Sequence, residues 1–410
     1  MPFRRSPARP AAIIGLGLAA ALVLAGCVQN NAPASTRLTV RIADSSCAVS
    51  RATATAGTVA FALSNEGTDV NEFEILASDK KRIVAEKENI APGQTVTLVA
   101  QLDAGTYYTA CKFQQAGPLV GRAEFTVSGA TTALDARSSA ATSAAVRHYL
   151  DYVRSQVQQL TPAVAALASA YQSVDDESAR ALFSGARVFY ERIEPIAERL
   201  GDLDPRIDFR EVDAVADGLD WTGFHRIEKD LWPPAVGALN SDGTSATLDW
   251  TPSTPSQRAA FGAGLVADVH QLSVLLNKPG FSLSLADITN GAVGLLDEVA
   301  ASKITGEEEW WSHSDLSDVQ ANVQGAQAAF DSVKAIAVSR GAAGTKLVAN
   351  IEKQFAAMNA LLARYGSFES GFTPYDRVTA AQRKELSDQV NALAEPLSQL
   401  THTVLGVPGA

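Results

Sequence analysis

Three short stretches concentrate the side chains able to hold a metal or move a proton. In TGFHRIEKDLW, Thr222–Trp232, His225 stands three residues before Glu228. At that spacing an imidazole and a carboxylate project from one face of a helix. In YERIEPIAERLGDLDPRIDFRE, Tyr190–Glu211, Glu191 and Glu194 repeat the spacing, and Asp202, Asp204 and Asp208 follow. The third stretch, GEEEWWSHSDL, Gly306–Leu316, carries His313 and Asp315. Helical bundles build metal sites by pointing carboxylates and a histidine inward from several helices. Clustered carboxylates repel one another and need a cation or protons between them. An acid pair at this spacing is also the ordinary mark of a solvated helix face. The residues make a metal centre only if the fold brings them together.

Other chemistries lack their residues. The five histidines, at 148, 225, 270, 313 and 402, are never four apart, so no H-E-x-x-H zinc motif exists. There is no G-x-S-x-G elbow and no phosphate-cradling loop. Asp202-x-Asp204 lacks the glycine and distal glutamate of a calcium loop. The net charge is −11, and the chain is more acidic still without Arg4, Arg5 and Arg9. That balance argues against nucleic acid and suits a surface that draws cations inward.

The elements that must position these residues fall into two blocks. Residues 1–26 read as a lipoprotein signal peptide: basic FRRSPARP, apolar AAIIGLGLAAALVLAG, then LAGC, which resembles a lipobox. Cys27 is the expected lipid attachment point, placing the mature chain in the cell envelope, extracytoplasmic and lipid-anchored. No later run reads as long and apolar enough to span a bilayer, so the lipid is the expected membrane contact. Residues 27–36 form a polar tether. From 37 to 128, alternating runs such as LTVRIAD, TVAFALSNEG and GTYYTACKF predict short strands punctuated by Pro92-Gly93 and Ala104-Gly105. Residues 129–145, rich in Ser, Thr and Ala, read as a linker. From 146 to 410 the period changes to that of helices, over 178–200, 254–276, 287–304, 315–338, 342–365 and 378–405.

GDLDPRIDFREVD, TGFHRIEKDLW, KITGEEEWWSHSDL and YDRVTAAQRKELSDQVNALAEPLSQL together resemble the EfeO family of bacterial iron-uptake proteins. The resemblance runs from Cys47 to the C-terminus in the family's order. It implies a multidomain fold: a small antiparallel β-sandwich, cupredoxin-like, followed by an all-α helical bundle of the imelysin (M75) kind. It implies that His225 and Glu228 are the family's H-x-x-E pair, with Glu191, Glu194 and Asp208 as further metal ligands. Asp315 joins them less directly, because the family motif reads YSHTDL and Trp311 replaces its tyrosine. Iron, as Fe2+ or Fe3+, is the implied metal, with zinc as a surrogate. The implied partners are an iron permease and a haem peroxidase. Two other functions remain open, a metal-dependent peptidase of the imelysin type and a structural or adhesive surface lipoprotein. H-x-x-E supplies at most two ligands and no separate general base, which ranks the peptidase below metal binding.

A cupredoxin-like domain raises the question of copper. Blue copper needs two histidines, a cysteine and a weak axial ligand, commonly methionine. Residues 37–128 contain neither histidine nor methionine. GTYYTAC resembles the strand that delivers the cupredoxin cysteine, and VNEFEI resembles the one that delivers its first histidine, with Glu72 in that place. The implied alternative is a Cys47/Glu72/Cys111 site, helped by Asp103 or Glu74, that would use copper to oxidise incoming Fe2+. A Cys47–Cys111 disulfide is the competing expectation in an oxidising compartment.

Overall fold

Alternation of buried and exposed residues builds the first domain. On β1 (Thr36–Ala43) Leu38, Val40 and Ile42 are buried while Arg37, Thr39 and Arg41 point out. The computed structural model describes residues 36–114, 117–130, 136–248 and 250–407. The signal segment and Cys27 lie outside the described residues.

Eight further strands follow: β2 (Ser46–Val49), β3 (Thr53–Thr55), β4 (Gly57–Asn65), β5 (Asn71–Leu76), β6 (Ile83–Ile90), β7 (Thr95–Leu102), β8 (Gly105–Phe113) and β9 (Val120–Ser128). They form two sheets, ordered β2-β1-β4-β7 and β3-β9-β8-β5-β6. Phe61, Phe73 and Phe125 meet between the sheets, with Phe61 5.5 and 5.7 Å from the other two ring centres. The sandwich is the expected one, with two departures from antiparallel pairing: β1 with β4 and β3 with β9 run parallel. The chain leaves the first sheet after β2, lends β3 to the second, and returns as β4. Such a crossover permits parallel neighbours.

The cysteine site expected in this domain does not form. Cys47 and Cys111 are joined in a disulfide, Cα to Cα 5.6 Å. Phe73 pairs with Cys111 in register, and both point into the sandwich core. Glu72, one residue earlier, therefore points to the opposite face with Lys112. Asp103 sits on an exposed turn, where its carbonyl accepts from Tyr107 Oη. Glu74 stays beside Glu72 on the outward face.

The helices are α1 (Ala136–Gln172), α2 (Asp176–Glu191), α3 (Leu203–Asp208), α4 (Glu211–Asp217), α5 (Gly223–Leu231), α6 (Pro255–Asn277), α7 (Leu285–Ala301), α8 (Asp315–Val338), α9 (Ala342–Leu362), α10 (Ala380–Leu397) and α11 (Leu400–Leu405). α1 starts ten residues inside the segment read as a linker ending at 145. ARSSAATSAA is polar, but its alanines favour helix, and α1 extends outward from the bundle through it. The helix expected over 178–200 breaks at Glu191, and a 3-10 turn, Glu194–Leu200, follows. Pro195 has no N–H to give the Glu191 carbonyl four residues earlier, and its ring crowds that carbonyl, which explains the break. Contrary to the sequence expectation, α6 is long and apolar enough to cross a membrane. In the fold it packs along α1, with Leu265, Val269, Leu272 and Leu276 in the bundle core.

The sandwich rests on the bundle. α7 packs on β6 and β7, Asn290 Nδ2 donates to the Val99 carbonyl at 2.7 Å, and Lys87 pairs with Asp297. Lys112 reaches Asp217 at 3.0 Å. All six residues of β5 are consequently buried.

The disulfide closes a loop spanning 64 residues. In the chain-entropy account that constraint contributes about 4 kcal/mol. Replacing both cysteines with serine should lower the midpoint of chemical denaturation accordingly. Thiol titration of the denatured, unreduced protein lacking residues 1–27 should find no free thiol. One or two reactive thiols would overturn the bond.

Candidate metal centre

The centre is built around the start of α5. Gly223 has φ +84°, and a Cβ there would sit 2.2 Å from the Ile207 carbonyl oxygen. Only glycine allows this approach. Thr222 Oγ1 donates to the Arg206 carbonyl at 2.8 Å, and Trp221 Nε1 to that of Phe209 at 2.9 Å. These contacts dock α5 against the end of α3 and so bring His225 to Asp208. Every residue of α5 is buried, which forces its charged side chains to find partners. Arg226 pairs with Asp230, and Lys229 pairs with Glu211 among the rings of Trp221, Trp250 and Trp311.

His225 faces carboxylates on both edges of its ring. Nε2 lies 3.7 Å from Asp208 Oδ1 and 3.7 Å from Glu308 Oε1, and makes no hydrogen bond. Nδ1 lies 3.4 Å from Glu228 Oε2 and 3.9 Å from Glu309 Oε1. Asp208, His225 and Glu308 thus present three ligand atoms within 4.8 Å of one another, as do His225, Glu228 and Glu309. Glu191, Glu194 and Glu308 form a third such group. The other Glu228 oxygen accepts the backbone N–H groups of Trp311 and Ser312, at 3.0 and 2.7 Å.

Two buried cations balance part of this charge. Arg187, on α2 and without exposed surface, contacts Glu191 at 2.5 Å, Glu309 at 2.5 Å, Asp318 at 3.1 Å, Glu308 at 3.6 Å, and Asp208. Lys303 contacts Glu194 at 2.5 Å and Glu308 at 3.2 Å. Asn322 Nδ2 donates to Glu194 at 2.5 Å and Glu191 at 3.0 Å, bridging the break between α2 and the 3-10 turn.

The ionisations follow from burial against pairing. Burial and the Arg187 charge push the His225 imidazole down, but Glu228, Glu308 and Asp208 outweigh them and its pKa is raised to about 9. Burial pushes the Asp208 carboxyl up to about 7 despite Arg187. Burial raises Glu194, Glu309 and Asp318 as well, with neighbouring carboxylates adding to the effect. Burial opposes ionisation of Glu308 too, but Lys303 and His225 hold its carboxyl well below the usual range. The centre carries more acids than cations, a state that invites a further positive ion.

The structure brings together five of the six residues expected from sequence in this domain: Glu191, Glu194, Asp208, His225 and Glu228. Asp315 stands behind the centre instead. Its Oδ1 accepts the Glu309 backbone N–H at 3.1 Å, and burial pushes its carboxyl up to about 7. His313 lies on the wall of a depression of about 510 Å³ with Trp232, Trp310 and Trp311. Asp204 accepts from Tyr190 Oη at 2.6 Å, and Asp202 pairs with Lys81 on the surface. Glu308, Glu309, Arg187, Lys303 and Asp318 were not singled out by spacing. The signal for the glutamates was their placement directly before Trp310-Trp311, where three consecutive acids meet large apolar side chains.

A second acidic group lies where the sandwich meets the bundle. Glu72, Glu86 and Glu88 place carboxylate oxygens within 4.8 Å of one another. Burial, then Glu74 and Glu88, pushes the Glu72 carboxyl well up.

A sandwich joined to a bundle with an internal histidine–carboxylate centre defines a cupredoxin-like plus imelysin architecture. The imelysin (peptidase M75) family model matches residues 145–400, and the cupredoxin-like domain model matches residues 16–120. Proteins named iron uptake system component EfeO, from Escherichia coli K12 and from Shigella flexneri, are each 36% identical over 397 residues. The matches cover 96% of this chain and 97% of each relative. The chain belongs to the EfeO family.

Two outcomes test this geometry. Gly223→Ala should cost at least about 2 kcal/mol in urea unfolding, because the new Cβ meets a backbone carbonyl at positive φ. A neutral effect would mean that α5 is seated differently. His225 has a folded pKa above its unfolded value of about 6.5, so its charge stabilises the metal-free fold below that pH. That contribution is lost as pH rises through about 9. Melting of the metal-free protein should fall across this window, and less so in His225→Gln. Equal slopes would remove the assignment.

Proposed function

We propose that the chain is the extracytoplasmic iron-binding component of a bacterial iron uptake system, capturing iron at the His225 centre and passing it to a membrane permease. One observation carries this reading: His225 converges with Asp208, Glu228, Glu308 and Glu309 in a buried setting where its Nε2 is left unpaired. Several carboxylates with a single imidazole are hard ligands suited to Fe(III), and the imidazole widens the set toward Fe(II) and zinc. The names of the relatives support iron as the cargo. A permease and a haem peroxidase of the same system are the proposed partners, and lipid on Cys27 would keep the binding domain near the membrane.

Copper-assisted oxidation drops out of this reading. With Cys47 and Cys111 joined, the sandwich offers no thiolate to copper. A peptidase would need room beside the metal for a polypeptide and a water. His225 and Glu228 are 2% and 1% exposed, which supports holding an ion over cutting a chain.

Titration calorimetry of the leaderless protein with anaerobic Fe(II), and with Zn(II) as surrogate, tests the proposal. His225→Ala combined with Glu308→Gln should weaken binding by at least about 100-fold while circular dichroism stays unchanged. Affinity should rise with pH toward about 9, since a proton must leave His225 as the ion binds. Unchanged affinity in the double variant would sink the reading. Chelator-sensitive cleavage of casein, lost in the same variant, would replace it with the peptidase.

A further inference from the structure

Three of the four carboxylate oxygens facing His225 are the same atoms that hold the two buried cations. Asp208 Oδ1 lies 3.7 Å from His225 Nε2 and also pairs with Arg187 Nη1. Glu308 Oε1 lies 3.7 Å from His225 Nε2, 3.2 Å from Lys303 Nζ and 3.6 Å from Arg187 Nη2. Glu309 Oε1 lies 3.9 Å from His225 Nδ1 and 2.5 Å from Arg187 Nε. Glu194 Oε1, in the third ligand group, lies 2.5 Å from Lys303 Nζ. The ligand atoms and the counter-ion atoms therefore coincide at both ends of the centre.

We propose that Arg187 and Lys303 are resident counter-cations, and that a metal ion binds by taking these oxygens from them. Metal uptake is then an exchange of one set of positive charges for another within a buried, fixed acidic frame. In the metal-free state the two side chains offset the repulsion among the clustered carboxylates. When an ion of charge two or three arrives, it draws the shared oxygens more strongly than a delocalised guanidinium or an ammonium does. The two side chains then repel the ion, so they weaken its hold. A component that must surrender its cargo gains from such a weakening. Both residues thus act on affinity through the ligands and not as ligands.

This inference rests on the metal-binding reading above, and its test separates the two. Lys303→Met removes one counter-cation. Arg187→Gln with Asp318→Asn removes the other together with a carboxylate that belongs to none of the three ligand groups. Each variant is titrated with Zn(II) and with anaerobic Fe(II), and its melting is measured with and without Zn(II). The expected result is a lower melting temperature without metal, a larger rise on adding Zn(II), and at least about tenfold tighter binding. A merely structural role would weaken binding instead. Affinity that is unchanged or weaker in a folded variant, while the wild type binds, overturns the exchange. If the Arg187 variant does not fold, Lys303→Met decides alone. Absence of binding by the wild type overturns the metal reading and the exchange with it.

Discussion

A guanidinium without exposed surface survives only where carboxylates replace the water it has lost. Arg187 meets this demand with acids from four separate parts of the chain. They are Glu191 on α2, Asp208 on α3, Glu308 and Glu309 before α8, and Asp318 on α8 itself. None of these elements can move far without stranding a charge, so the polar interior fixes their relative positions as firmly as apolar packing does. Backbone approaches set the same spacing from outside. Gly325 on α8 lies so near the Arg192 carbonyl that a Cβ would sit 2.5 Å from its oxygen. Arg187 does not satisfy its partners completely, since burial still raises Asp208, Glu309 and Asp318. Under the proposed function, a captured ion would supply the positive charge that these carboxyls still lack.

The sandwich is bound into the same electrostatic system. Its strand β5 is covered on one face by its own core and on the other by the bundle, so Glu72 and Glu74 lose solvent although they point away from the sandwich. Lys112 and Lys87 cross the boundary to Asp217 and Asp297. The disulfide pins β2 to β8 on the core side of the second sheet. The opposite side is left to charged contacts with the helices.

Much of this was legible in the sequence, because helices announce their ends. Thr254, Ser284 and Thr379 are N-caps with a reciprocal partner three residues on, and the predicted starts fall within three residues of them. α8 begins and ends at the residues its periodicity predicted, Asp315 and Val338. His225 and Glu228 were visible because their spacing is helical and their neighbours resemble a family. Glu308 and Glu309 were not, since they lie on an irregular segment where no period reports which side faces inward. Arg187 occupies an ordinary helical position, and only the assembled bundle shows that five acids surround it. The orientation of Glu72 could have been read from strand alternation against Cys111, but that requires the pairing register, which one sequence does not supply.

All five tryptophans lie between residues 221 and 311, and the sandwich has none. Three of their rings surround the Lys229 ammonium at 5.2 to 5.6 Å, and the Trp311 backbone N–H is bonded to a Glu228 oxygen. The tryptophan fluorescence of this protein is therefore a signal from the helical domain alone. Part of it arises beside the acidic centre. A transition-metal ion seated there would quench it, giving the molecule a built-in optical gauge of its own loading that needs no attached dye.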